Sequence, residues 1–187
     1  ISLGMSGSFV PAHSVPVKHE HITLKFTDGS ALGYIDPRRF GSWEVRSGTL
    51  PHHADPMSVD SLMKLFSSER FIKSSRAIKD ALLDQHEIGG IGNIYALEAL
   101  HLAGVSPLRK VSSLTNKEFT LLSTIIPKVL IKAIDKGGST ISTYRRLNGE
   151  GGDFQELHRV YDREGEKCLK RGCSGIILRI KQGGRSS

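Results

Sequence analysis

Leu82-Leu83-Asp84-Gln85-His86-Glu87-Ile88-Gly89-Gly90-Ile91-Gly92-Asn93-Ile94-Tyr95 decides the fold. An apolar helix end meets three glycines in four positions, then Asn93, then a new apolar-periodic helix. Gly89, Gly90 and Gly92 clear side chains from a tight turn. Asn93 is expected to cap the following helix. Backbone N–H groups at a helix start, with no Cβ in the way, form an anion site. Lys79 lies one helical turn before Leu83 and can point at the same anion. The alternative is an ordinary helix–turn–helix corner in which Asn93 only caps.

Charge supports the anion reading. Lys and Arg number 26 against 19 Asp and Glu, a net charge of +7 in 187 residues. That balance suits a polyanionic partner. The cations cluster at Arg38-Arg39, 73–79, Arg109-Lys110, Arg145-Arg146 and 167–185. No apolar run reaches the ~18 residues that span a bilayer. Two cysteines make no disulfide framework, so a cytoplasmic protein is expected.

Residues 1–50 read as β. Ile22, Leu24 and Phe26 alternate with polar residues, Asp28-Gly29 signals a turn, and 31–35 is the returning strand. Asp36-Pro37-Arg38-Arg39-Phe40-Gly41 is a loop, and Trp43 and Val45 begin another strand. Residues 57–137 read as α. Thr115 and Glu118 form a capping box for a helix that Gly137-Gly138 ends, and Pro127 should kink it. Residues 138–187 return to loop and β. Val160-Tyr161 and 176–180 read as strands, 143–152 as a glycine-rich loop, and Gly183-Gly184-Arg185 as a tight turn presenting a cation.

Several motifs recur in one order along the chain. They are Leu3-Gly4-Met5-Ser6-Gly7, Lys18-His19-Glu20-His21, the loop 36–41, Ile78-Lys79 with 82–85, 90–95, 137–140, Val160-Tyr161 and Gly184-Arg185. With them the chain resembles the bacterial formamidopyrimidine-DNA glycosylases, which remove oxidised purines such as 8-oxoguanine. The stretch 90–98 resembles this branch more than the sister endonuclease VIII branch.

The resemblance implies an α+β architecture. Residues 1–50 would be the later strands of an N-terminal β-sandwich. Residues 51–140 would be a helix–two-turn–helix DNA-binding domain, and 141–187 a lesion loop with an incomplete finger hairpin. Such enzymes flip the damaged nucleotide out of the duplex and fill the gap. Met5, Arg38 and Phe40 match the void fillers, with Arg39 beside them; an apolar wedge and a planar guanidinium replace a lost stacking partner. Taken alone, Met5 would more often be a core residue. His19, Lys79 and Asn93 match phosphate contacts, although His19 could also be a strand-edge histidine. Ser75 stands where the family carries a cation, with Lys73 and Arg76 able to compensate. Glu98, Tyr95, Thr143 and Tyr144 match the lesion pocket; a solvated helix glutamate is the other reading of Glu98. Arg185 matches a finger-tip arginine that assists elimination, unless it is simply a terminal cation.

Three departures bound what carries over. The family's nucleophile is an N-terminal proline, and nothing in this sequence replaces it, so the 187-residue chain is expected to be a fragment that does not turn over. The family's zinc finger uses four cysteines; Cys168 matches one ligand, Cys173 is displaced by two positions, and no bound metal or other cofactor is expected. Asp162 stands where the family carries glycine, which turn geometry tolerates. The expected partner is double-stranded DNA carrying oxidised purines or abasic sites, bound by a monomer away from membranes. A non-catalytic helix–two-turn–helix nucleic-acid-binding module is the alternative.

Overall fold

Glu20–Lys25 (β2) alternates half-buried and exposed residues, the period-2 signature of a strand with one packed face. The computed structural model describes residues 1–4, 6–12, 17–45, 47, 53–139 and 151–187. Met5, Thr143 and Tyr144 lie outside the described residues. Contacts group the chain into two compact units: Ile1–Leu50 with Asp135–Glu156, and Pro51–Ile134 with Leu157–Ser187. The first boundary falls where the composition changes near residue 50, while the third stretch of sequence divides between the units.

In the first unit Ala31–Ile35 (β3) is central, flanked antiparallel by Ser8–Pro11 (β1) and β2. The turn between β2 and β3 forms as the sequence requires. Gly29 has φ 84°, and Asp28 Oδ1 accepts from the Ser30 N–H at 2.8 Å. The strand expected to begin at Trp43 and Val45 is not present among the described residues. Among the described residues this segment makes only an isolated Ser2–Ser42 bridge, and Val45 is wholly exposed. Trp43 is instead held by rings, its centroid 5.9 Å from Phe9 and 5.2 Å from Tyr34.

In the second unit, Val59–Phe66 (α1) is capped by Ser58, whose side chain accepts from the Ser61 N–H. Glu69–Ile72 (α2) and Ile78–Leu82 (α3) follow. Asn93–Ala103 (α4) stops at Gly104, φ 70°. Asn116–Asp135 (α5) starts at the predicted capping box: Thr115 N–H donates to Glu118 Oε2 at 2.7 Å, and Glu118 N–H to Thr115 Oγ1 at 3.3 Å. Arg109 pairs with the same carboxylate and, with Thr115, holds it at a pKa of about 2. The helix continues through buried Pro127, the position at which the sequence predicts a kink. The rings of Phe66, Phe71 and Phe119 form the aromatic part of the core, with centroids 5.3–6.3 Å apart.

Val160-Tyr161 and 176–180 are not strands. Residues 160–162 form a turn, and Ile176 makes one isolated bridge, to Lys167. The ladder forms further on, between Lys181–Gln182 (β4) and Arg185–Ser186 (β5). Gly183 and Gly184 join them at φ 56° and 76°. Positive φ at both central residues is the geometry of a type I′ hairpin turn, which glycine adopts without strain.

Sequence reasoning took Asp36 for an ordinary loop residue. Its carboxylate is buried and accepts from Ser6 Oγ at 2.6 Å, Gly41 N–H at 2.8 Å and Tyr34 Oη at 3.2 Å. The Ser6 hydroxyl and the Gly41 N–H hold its pKa at about 2, below the ordinary 3.8. A depressed carboxylate pKa stabilises the fold above the unfolded value, and that stability is lost as pH falls through the folded value. The first unit should therefore lose stability between pH ~4 and about 2, with Asp36 as a contributor. Thermal melts followed by Trp43 fluorescence against pH test this. Asp36→Asn should lower the melting temperature at neutral pH and shrink the difference from wild type at pH 2; a constant difference across that window removes Asp36 as the cause.

Candidate nucleic-acid interface

Two groups of expected contact residues sit in different units, and each has its own geometry. In the first unit the loop after β3 presents Arg38, Arg39 and Phe40 to solvent. Phe40 is 57% exposed, and the Arg38 guanidinium lies 4.6 Å from its ring centroid. An exposed aromatic under a cation presents a flat apolar surface with a charge above it. The Asp36 carboxylate anchors both ends of the loop through its bonds to Ser6 and to the Gly41 N–H. Arg39 has φ 55°, an uncommon conformation for arginine. His19 is exposed, also in the left-handed region at φ 68°, and its carbonyl accepts from the Asp36 N–H.

In the second unit the glycine stretch forms a turn between α3 and α4. Gly90 has φ 80°. A Cβ at Gly89 would lie 2.5 Å from the His53 ring, so any side chain there would displace that imidazole. The cap assignment changes. Gly92 is the cap of α4, and Asn93 is its first helical residue, with no side-chain bond to the helix N–H groups. The Asn93 side chain is used elsewhere: Nδ2 donates to the Ser186 carbonyl at 3.1 Å, and Oδ1 is buried without a partner. The Gly90 N–H donates to Gln85 Oε1 at 2.8 Å, so this N–H is already satisfied within the chain.

Lys79 also differs from expectation. It is 1% exposed, and Nζ donates to the Ser186 carbonyl at 3.1 Å and to Ser187 Oγ. Burial pushes its pKa below the usual lysine value; Asp80 opposes that and Arg185 adds to it. No local pattern signals this, because the enclosing groups lie more than 100 positions away. Gln182 was missed for the same reason. It is buried, and Nε2 donates to Asp80 Oδ2 and to the Pro107 carbonyl, each at 3.3 Å. Arg185, opposite Gln182 in the hairpin register, is exposed.

Glu98 is neither a solvated helix residue nor, among the described residues, an exposed pocket wall. It is 2% exposed, and its carboxylate accepts three successive backbone N–H groups: Arg159 at 2.8 Å, Val160 at 3.0 Å and Tyr161 at 2.9 Å. Tyr95, one turn earlier on α4, is half-buried. A cleft of about 640 Å³ separates the far end of α4 from the hairpin, lined by Leu97, Leu100, Val105 and Ile177, with His101 and Cys168.

The cysteines can be judged as zinc ligands from this geometry. Both are free, and the Gly175 N–H and then Cys168 lower the pKa of the Cys173 thiol. His101 Nε2 is 4.0 Å from Cys168 Sγ. Structural zinc takes four ligands. Among the described residues, no group of three or more candidate ligands is placed to hold an ion, so the set does not fit a complete site. No helix among the described residues is long and apolar enough to cross a membrane.

Comparison with known proteins places this geometry. Residues 1–43 match the formamidopyrimidine-DNA glycosylase N-terminal domain, and 53–145 match the H2TH domain of the same enzymes. The formamidopyrimidine-DNA glycosylase of Ruegeria pomeroyi is 38% identical over 204 residues, covering all of this chain and 72% of that protein. That of Gluconobacter oxydans is 39% identical over 203 residues, with the same coverage. Among solved structures, MutM (Fpg) from Thermus thermophilus superposes with a TM-score of 0.82 at 37% identity, over 99% of this chain and 71% of that one. Lactococcus lactis Fpg bound to DNA containing an abasic site gives 0.78 at 33% identity, over 99% and 70%. MutM bound to DNA containing carbocyclic 8-oxo-G gives 0.81 at 36%, with the same coverage. With its sheet, its glycine-turned helix pair and its hairpin all accounted for in these relatives, the chain belongs to the formamidopyrimidine-DNA glycosylase family.

Proposed function

We propose that the chain binds duplex DNA carrying an oxidised purine or an abasic site. In the whole protein this serves base-excision repair by a DNA glycosylase with abasic-site lyase action. The observation that carries the reading is Arg185, exposed at the tip of a hairpin both of whose strands are bonded to the α3–α4 corner. A cation at a fixed point on a chain of net charge +7 suits a phosphate backbone. The exposed Arg38–Phe40 stack supports it, since an aromatic and a guanidinium can fill the gap left by an extruded base. DNA bound to the Lactococcus lactis and MutM relatives supports it further. Fluorescence anisotropy with a duplex containing an abasic-site analogue should give binding that weakens steeply with salt. Arg185→Ala should reduce the slope of log K against log salt by about 0.9, one phosphate's worth. A salt-independent affinity would falsify the reading.

Abasic-site lyase chemistry needs an amine that is neutral near pH 7 and free to reach the sugar C1′. Exposed lysines are protonated there. Lys79 has a lowered pKa, but it is enclosed and bonded to Ser186 and Ser187, so it cannot reach a sugar. The 187-residue polypeptide, assayed by itself, should bind abasic DNA without forming a borohydride-trapped adduct. An adduct lost in Lys79→Met would identify that lysine as accessible and overturn this assignment.

The same polypeptide should hold zinc substoichiometrically, because Cys168 and Cys173 supply two of four sulfur ligands. Elemental analysis reads this directly. One zinc per chain would mean that a further side chain, His101 first, completes the set.

A further inference from the structure

The geometry points to Lys79 as a positioning residue that aims the finger tip at DNA, rather than as a group that itself meets phosphate. The inference rests on the finger tip being part of the DNA-binding surface.

A two-strand hairpin of two residues per strand has no orientation of its own; such hairpins are marginal in water unless packed against something. This one is bonded at both strands. On β4, Gln182 donates to Asp80 and to the Pro107 carbonyl. On β5, the Ser186 carbonyl accepts from Lys79 Nζ and from Asn93 Nδ2, each at 3.1 Å. Lys79 adds a second bond, to Ser187 Oγ, where the Ser187 N–H donates to the Ile180 carbonyl at 2.8 Å and closes the hairpin. Lys79 therefore commits two of its three donors to the hairpin, from a position 1% exposed. An ammonium placed so is not available to a phosphate on the surface.

The carbonyl it holds belongs to the residue after Arg185. Fixing the Ser186 carbonyl fixes the backbone from which Arg185 projects. Arg185 itself stays exposed, beside the strand position that Lys79 and Asn93 hold. Lys79 thus acts on DNA through Arg185, and the two should be coupled. A direct phosphate ligand would act independently of Arg185.

The test is a double-mutant cycle with two readouts. Binding to an abasic-analogue duplex is measured against salt for wild type, Lys79→Met, Arg185→Ala and the double variant. Methionine preserves length and burial without the charge. Positioning predicts that each single variant lowers the salt slope by about 0.9, and that the double variant loses no more than either. A double variant that loses about twice as much marks Lys79 as an independent phosphate contact and overturns the proposal. The second readout needs no DNA. Hydrogen exchange at the Ile180 and Ser187 amides, which bond across the hairpin, should quicken in Lys79→Met while α4 amides stay protected. Unchanged exchange overturns the proposal even where wild type binds no DNA, and that last result would defeat the DNA reading alone. Should Lys79→Met not fold, Asn93→Ala removes the other bond to Ser186, and the same two readouts decide.

Discussion

A buried carboxylate on the middle of α4 sets the second unit's architecture. A carboxylate taken out of water costs several kcal/mol unless its oxygens are satisfied. Glu98 is satisfied by three consecutive backbone N–H groups, from Arg159, Val160 and Tyr161. Charge-assisted bonds of this kind are roughly twice as strong as neutral ones. They also relieve three donors that form no ladder, because residues 160–162 form a turn and not a strand. The chain is thereby fixed to α4 at the point where it enters the finger. Asp162, at φ 58°, turns it there, and Arg163 and Glu166 pair across the next turn.

The same solution recurs in the first unit. Asp36 is a buried carboxylate at the end of β3, satisfied by a hydroxyl, a phenol and a backbone N–H. In both units a carboxylate takes up loop donors that no ladder pairs. Each stands beside a segment bearing exposed cations: Arg38 and Arg39 follow Asp36, and the hairpin of Arg185 follows the segment that Glu98 holds. Rigid backbone under an exposed cation lowers the ordering cost of binding.

Local patterns were legible in the sequence. The β2–β3 hairpin follows from period-2 alternation and Asp28-Gly29; the start of α5 follows from Thr115 and Glu118; the finger-tip turn follows from Gly183-Gly184. What was not legible is pairing over distance. Lys79 reads as a surface cation because nothing near it in sequence encloses it, and its partners are Ser186 and Ser187. Asn93 reads as a cap because asparagine caps helices well, yet Gly92 takes that place and leaves the amide for Ser186. Trp43 reads as a strand residue because aromatics favour strands, whereas ring packing with Phe9 and Tyr34 holds it without a ladder. In each case propensity suggested one use for the side chain, and tertiary contact supplied another.

The Ser186 carbonyl shows where that redistribution sends two donors. An ammonium and an amide converge on one neutral oxygen. Both donors resemble phosphate ligands in sequence, and both point inward. A charge-assisted bond from a buried lysine fixes a carbonyl more firmly than a neutral donor does. The cation left to face solvent is the neighbouring Arg185, whose planar fork is the geometry that matches phosphate oxygens. The sequence places lysine inside, where a compact ammonium can serve two oxygens at once, and arginine outside, where bidentate geometry counts. Exchanging the two residue types would alter both places, because arginine brings a broader planar fork to the enclosed position beside Ser186 and Ser187, and lysine offers an anion only a point charge.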